Sequence, residues 1–346
     1  MFELLKEVGR GKRGAKDLTY DQAAMAAEMF LNGTATTAQI SAFLMAERIK
    51  TESVEEILAF IDVYRRDAFL YPMPTSLDCA GPYDGRRASF LVTLPAAFVL
   101  SACGLPVTLH SSPSLPPKWG VTLLDVMRLL HIPFENKKAL CLAAAESGVL
   151  FIPTEDWCPA LHRLRPLRME IGVRTLFNTV EKLLRLSDPS SVTVGVFHGT
   201  ALEKAAQLLI RLGIKRGIVV QGMEGSEDVT VSRRTRTLLI QEGHSEPYMV
   251  EPALLGLQTE LPDVIWTAER QLQTTIAVLN GEAEQAYHNL VLLNSALRLW
   301  GAGHADTLAE GVEMASHALD AGLALEQYHR WLNTVCTGSS RPTHLS

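Results

Sequence analysis

A chain of 346 residues is longer than one hydrophobic core usually supports, so a large domain accompanied by a small one is expected. With 47% hydrophobic and 20% charged residues, its composition excludes the collagen-like and disordered classes. The net charge of -6 excludes a global attraction to nucleic acid or anionic membrane, leaving only local basic patches for such partners.

Residues 3–9 read as a short helix that ends in GRGKRGAKD, where glycines break the pattern. Within that segment Arg10, Lys12, Arg13 and Lys16 form a concentrated basic turn, which is either a mobile solvated loop or a contact for a phosphate backbone. Thr19 followed by Asp21 and Gln22 is capping chemistry, Ala23, Ala27 and Phe30 fall at helical spacing, and Gly33 is the stop signal. Residues 36–50 and 53–68 repeat the theme, each opening on Ser or Thr with apolar residues at i, i+3, i+4 and i+7. Four helices with short connections predict a small all-α unit over residues 1–72.

The proline-rich crossing at 71–75 changes the periodicity. β-rich strings at 77–80, 107–109, 149–152, 192–197 and 217–221 alternate with amphipathic stretches at 93–103, 121–131, 138–147 and 200–212. Such alternation predicts an α/β domain with a mainly parallel sheet over 73–157 and 187–338, interrupted by the helix-like residues 160–186. The C-terminal third reads as helices broken at glycines, followed by a tail at 339–346. Five widely spaced cysteines without a CxxC pair favour reduced thiols over disulfides or a zinc site. The N-terminus does not read as a signal peptide, and no apolar run reaches the ~18 residues of a membrane span, so a cytoplasmic protein is expected.

Arg163, Arg165, Arg168 and Arg174 lie within one stretch opposed only by Glu170. Guanidinium forks suit carboxylate or phosphate, so the stretch either binds an anionic ligand or meets ordinary carboxylates elsewhere in the chain. The order CPALHRLRPLRMEIGVRTLFN resembles the HPA…PVR…LGxRTxFN segment of the anthranilate phosphoribosyltransferase family, which is glycosyltransferase family 3 with a nucleoside phosphorylase-like fold. Similarity continues through VGVFHGTALEKAAQLLIRLGIKRGIVVQG and VLLNSALRLWGAGHADTLAEGVEMASHALDAG, covering nearly the whole chain. The resemblance implies a small all-α domain rejoined by residues 158–186, a larger α/β domain, and a homodimer formed through the helical domain. It also implies phosphoribosyl transfer from phosphoribosyl pyrophosphate to an aromatic acid, as in tryptophan biosynthesis, with magnesium accompanying the pyrophosphate.

Carried over position by position, the resemblance assigns the donor to Gly81, Asp84, Thr93, His110 and Lys118. Arg86 could restore anion binding by its charge. The acceptor falls to Arg168 and His110, and magnesium to Glu227 and Asp228, which stand in reversed order relative to the family's GxDE. The loops depart from the family where phosphate should bind. Pro82 and Tyr83 replace a small hydroxyl and a glycine, Leu91 and Leu94 replace Asn and Thr, and Leu109, Ser112 and Pro113 replace Lys, Asn and Arg. Two readings follow. One is a phosphoribosyltransferase with weak or absent anthranilate activity; the other is a non-catalytic paralog, similar to the branch that opens with GRGKxxAxDL, which binds nucleic acid or another polyanion through Arg10, Lys12, Arg13 and Lys16.

Overall fold

The computed structural model describes residues 1–11 and 13–337, so Lys12 and the tail expected at 339–346 lie outside the described residues. Four helices open the chain: α1 (Phe2–Val8), α2 (Tyr20–Leu31), α3 (Thr37–Lys50) and α4 (Val54–Arg66). Thr19, Thr36 and Ser53 each close a reciprocal capping box with Gln22, Gln39 and Glu56, which satisfies the first free N–H groups of α2, α3 and α4. The apolar faces so aligned meet in an aromatic cluster of Phe30, Phe43, Phe60 and Tyr64, joined by Phe177 from much later in the chain.

Beyond the proline-rich crossing lies a seven-stranded sheet of order β3-β2-β1-β4-β5-β6-β7. Its strands are β1 (Leu77–Ala80), β2 (Val107–Ser111), β3 (Val149–Pro153), β4 (Ser191–Gly195), β5 (Arg216–Val220), β6 (Thr235–Gln241) and β7 (His244–Val250). The first five are mutually parallel and almost wholly buried, which is why they read as short continuous apolar strings. β6 and β7 are antiparallel and were not among the expected strands. Glu242 and Gly243 both adopt positive φ between them, a two-residue hairpin turn whose twist matches that of the flanking strands.

Helices Thr93–Ala102, Gln285–Ala302 and Leu323–Thr337 share one apolar core with the sheet, and helix Leu202–Arg211 shares the other with α1–α4. Since β1, β2, β4 and β5 run in the same direction, the loops that follow them emerge at a common edge, where open parallel sheets bind ligands. Among the described residues no helix is long and apolar enough to cross a membrane.

One electrostatic group ties the helical unit together. The Lys50 ammonium lies 2.8 Å from Asp17, 2.7 Å from Glu56 and 3.3 Å from Glu47. Glu56 also accepts the backbone N–H groups of Leu18 and Ser53 at 2.7 Å each. Glu47 is fully buried without a hydrogen-bond donor of its own, and that burial, reinforced by the neighbouring Glu56 charge, pushes its carboxyl from 4.5 to about 8. Between those two values the folded chain holds a proton that the unfolded chain has lost. The stabilisation from this group is therefore complete in acid, falls by about 1.4 kcal/mol per pH unit as pH rises, and is gone above about pH 8. Glu47→Gln keeps the shape without titrating, so its stability relative to wild type is expected to rise between about pH 5 and pH 8. Chemical denaturation at several pH values measures this, and a constant difference would refute it.

Candidate functional site

The loop after β1 is built by a close backbone approach. Gly85 has φ +73, and a Cβ there would come within 2.3 Å of the Gly120 carbonyl oxygen; a Cβ on Gly120 would come within 2.5 Å of the Arg86 nitrogen. Two glycines thus let the β1 loop and the loop after β2 pair as a short bridge between Arg86 and Val121. That bridge aims the Arg86 side chain inward.

Arg86 is buried and donates to the Phe90 carbonyl at 2.8 Å and to the Asp228 carboxylate. From the opposite side Arg298, in helix Gln285–Ala302, donates to Asp228 Oδ1 at 2.6 Å and to Thr93 Oγ1 at 3.1 Å. Thr93, the first residue of its helix, donates to Glu227. Two carboxylates and two guanidiniums therefore neutralise one another in the interior. Burial alone would raise the Asp228 carboxyl, but the Arg86 and Arg298 charges hold it below its usual value. Gly81 lies against Glu227, since a Cβ on it would be 3.2 Å from Oε2.

His110, within β2, is buried with Nε2 2.8 Å from Asp78 and Nδ1 2.6 Å from the Tyr83 hydroxyl. Tyr83 also reaches Thr154 at 2.7 Å and the Glu181 carbonyl at 3.3 Å, and burial, then the Glu181 charge, holds its phenol well above the usual value. Arg168 is buried in a two-pronged pair with Glu181. Asp84 accepts from Arg174 at 2.9 and 2.5 Å, and Lys118 stands 3.3 Å from it while donating to the Glu224 carbonyl. Burial lowers the Lys118 ammonium despite Asp84. It also lowers Lys182, on the wall of a cleft of about 200 Å³ beside Asp84 and Arg174, to about 8.

The donor, acceptor and metal residues assigned through the resemblance are thus brought together in one region, where their charged and polar side chains are engaged by one another or by neighbouring side chains. Gly81, Arg86, Thr93, His110 and Glu227 enclose only about 20 Å³. Magnesium demands several oxygen ligands at once. Here both Asp228 oxygens face guanidiniums, and Glu227 keeps one buried oxygen, Oε2, without a partner. Among the described residues no group of three or more His, Cys, Asp or Glu side chains is placed to hold a metal. As arranged, Glu227 and Asp228 do not fit magnesium. The basic turn lies apart from these contacts: Arg10 donates to Glu7 at 2.6 Å, and Arg13 and Lys16 are exposed.

Sequence reasoning missed Arg298 and Glu181. A lone arginine in the apolar run LVLLNSALRLW was the available signal for Arg298. Glu181 carried none, because its role depends on Arg168 lying across from it in space. Glu224 accepts from the Arg87 and Ala88 N–H groups and the Ser89 hydroxyl.

Residues 2–68 match the helical bundle domain of a glycosyl transferase family and residues 78–325 match that family's a/b domain. Anthranilate phosphoribosyltransferases from Xanthobacter autotrophicus and Symbiobacterium thermophilum are each 33% identical to this chain over 333 residues, covering 94% of both partners. The crystal structure of anthranilate phosphoribosyltransferase from Thermus thermophilus superposes with a TM-score of 0.84 at 25% identity, over 96% of this chain and 99% of that one. The Saccharomyces cerevisiae enzyme, solved in complex with PRPP and Mg, superposes with a TM-score of 0.82 over 97% and 98% of the two chains at 19% identity, a likeness of fold.

Asp228→Asn would leave Arg86 and Arg298 buried against a neutral amide. Breaking a buried pair from one side costs about 3–5 kcal/mol, so a loss of that order in urea denaturation is expected. A loss under about 1 kcal/mol, the range of exposed pairs, would show that the cluster is open to water.

Proposed function

The chain belongs to the anthranilate phosphoribosyltransferase family of glycosyl transferases, and from that premise we propose that it is a phosphoribosyltransferase-type protein whose transfer to anthranilate is weak or absent. The observation that carries this reading is the volume of about 20 Å³ among Gly81, Arg86, Thr93, His110 and Glu227. A space of that size has room for about one water molecule, so a pyrophosphate cannot enter without breaking the buried ion cluster. The acceptor side supports the same reading. Arg168 would have to leave Glu181 before pairing with an aromatic carboxylate. Catalysis of this type is mostly positioning and stabilisation of the departing charge, and here the charged groups are already committed to partners.

Each missing charge-assisted hydrogen bond to the donor forfeits about 1.5–3 kcal/mol, and three would weaken binding by a thousandfold or more. Titration calorimetry with phosphoribosyl pyrophosphate, with and without magnesium, is expected to show no low-micromolar binding. Fluorescence assays should show no steady consumption of anthranilate. Micromolar donor affinity or sustained turnover would overturn the proposal.

A second reading, a non-catalytic paralog binding nucleic acid or another polyanion, draws support from the basic turn. Arg13 and Lys16 are exposed and make no ion pair among the described residues. Fold alone does not choose between the readings, because function resides in the site. Binding through this turn must weaken with salt, log K falling by about 0.9 for each duplex phosphate neutralised, or about 0.7 on single strands. Changing Arg10, Lys12, Arg13 and Lys16 together to alanine is expected to flatten that slope in a filter-binding or anisotropy assay. No binding at ~50 mM salt would end this reading.

A further inference from the structure

A second cavity, of about 530 Å³, opens beyond the ends of β4 and β5, bounded by Arg233, Arg234, Arg236, Phe197, His198 and Gln221. Its size falls within the range of about 300–1,000 Å³ common to small-molecule sites. In a chain of net charge -6, three arginines converge on this one space. All three are exposed, and among the described residues none makes an ion pair or a side-chain hydrogen bond. This sets them apart from Arg86, Arg165, Arg168, Arg174 and Arg298, whose carboxylate partners lie within 2.8 Å.

Local structure fixes where these charges point. Arg236 lies in β6 opposite Met249 of β7, so the two side chains share one face of the hairpin, and both line the cavity. Arg234 immediately precedes β6 and lines the same cavity, while Thr235 between the two arginines is buried. The Arg236 carbonyl accepts the Gln221 N–H at 3.0 Å, which attaches this face to the end of β5.

The one acid on the wall is turned away. Glu224 takes a left-handed backbone conformation (φ 54, ψ 19), and its carboxylate accepts from the Arg87 and Ala88 N–H groups at 3.0 and 3.1 Å and from the Ser89 hydroxyl at 2.6 Å. It therefore stays engaged with the β1 loop and leaves the guanidiniums without a counter-charge. Phe197, also on the wall, is 54% exposed, its ring set edge-on to His198 at 4.9 Å. Gly225 packs against its base, since a Cβ there would lie 3.2 Å from Phe197 Cβ.

Unpaired guanidinium forks recognise phosphate, and an exposed aromatic face takes a planar ring. We propose that this arginine-lined cavity is a binding site for a nucleoside phosphate, with phosphate on Arg234 and Arg236 and the base against Phe197. The site adjoins the cleft beside Asp84 and Arg174, since Phe197 and His198 line both, but Arg234 and Arg236 do not line that cleft, and the proposal does not depend on the transferase reading.

Titration calorimetry without added metal, using adenosine 5′-monophosphate, adenosine 5′-diphosphate, inorganic pyrophosphate and a ten-residue oligothymidylate, tests the proposal. Both nucleotides are expected to bind. Arg234→Ala and Arg236→Ala should each weaken nucleotides and pyrophosphate by about tenfold or more. Phe197→Ala should weaken the nucleotides by about tenfold and leave pyrophosphate unchanged. All three side chains are exposed, so circular dichroism should show wild-type melting, and any single folded variant suffices for the comparison. No nucleotide binding at millimolar concentration, nucleotide affinity indifferent to these substitutions, or binding of the oligonucleotide alone would each overturn it.

Discussion

Asp228 holds the α/β domain's functional edge in its present form. Its two oxygens draw in Arg86 from the loop after the first strand and Arg298 from a C-terminal helix, while Thr93 bridges to Glu227 at the start of a third element. A carboxylate so deep in the protein is tolerable only because both guanidiniums are aimed at it, and the guanidiniums are tolerable only because of the two acids. The loop bridge at Gly85 and Gly120 delivers Arg86 to this cluster, and the burial of Arg86 and the small volume around Thr93 go with the mutual neutralisation.

The same internal pairing governs the arginine-rich stretch. Arg163 stands 3.7 Å from Asp67, Arg165 pairs with Glu155, Arg168 with Glu181 and Arg174 with Asp84. Charges that in the sequence invite an external anion are answered from within the chain, by acids that come from the helical unit, from the end of β3 and from the β1 loop. Exposure separates their contributions. The Arg163–Asp67 contact is open to solvent and contributes little, whereas the Arg168–Glu181 pair is buried and its rupture from one side would be costly.

Much of the fold could be read before any coordinates because its signals are local. Thr19, Thr36 and Ser53 carry capping chemistry within four residues, and the buried parallel strands announce themselves as short apolar strings. The β6–β7 hairpin escaped because only one of its strands is half buried: His244–Val250 is mostly exposed and polar, so its alternation is weak. The positions of Gly81, Asp84, Thr93, His110 and Lys118 were legible through family resemblance, but the partners that engage them were not. Glu181, Arg298 and Tyr83 act through contacts spanning from 13 to more than 200 residues, and no periodicity encodes which side chains meet at such separations.

The separation of these partners bears on how the protein is made. Arg86 and Asp228 are 142 residues apart in the chain, and Asp228 and Arg298 a further 70. On a ribosome that releases residues in order, β1 to β5 can pair before Arg298 has been synthesised, leaving the carboxylates at 227 and 228 with a single guanidinium. Until the helix at 285–302 docks, Arg86 alone is available to answer the charge of Asp228. The charge cluster is complete only once residue 298 has emerged, and a chain truncated before that helix would lack one of the two guanidiniums that neutralise Asp228.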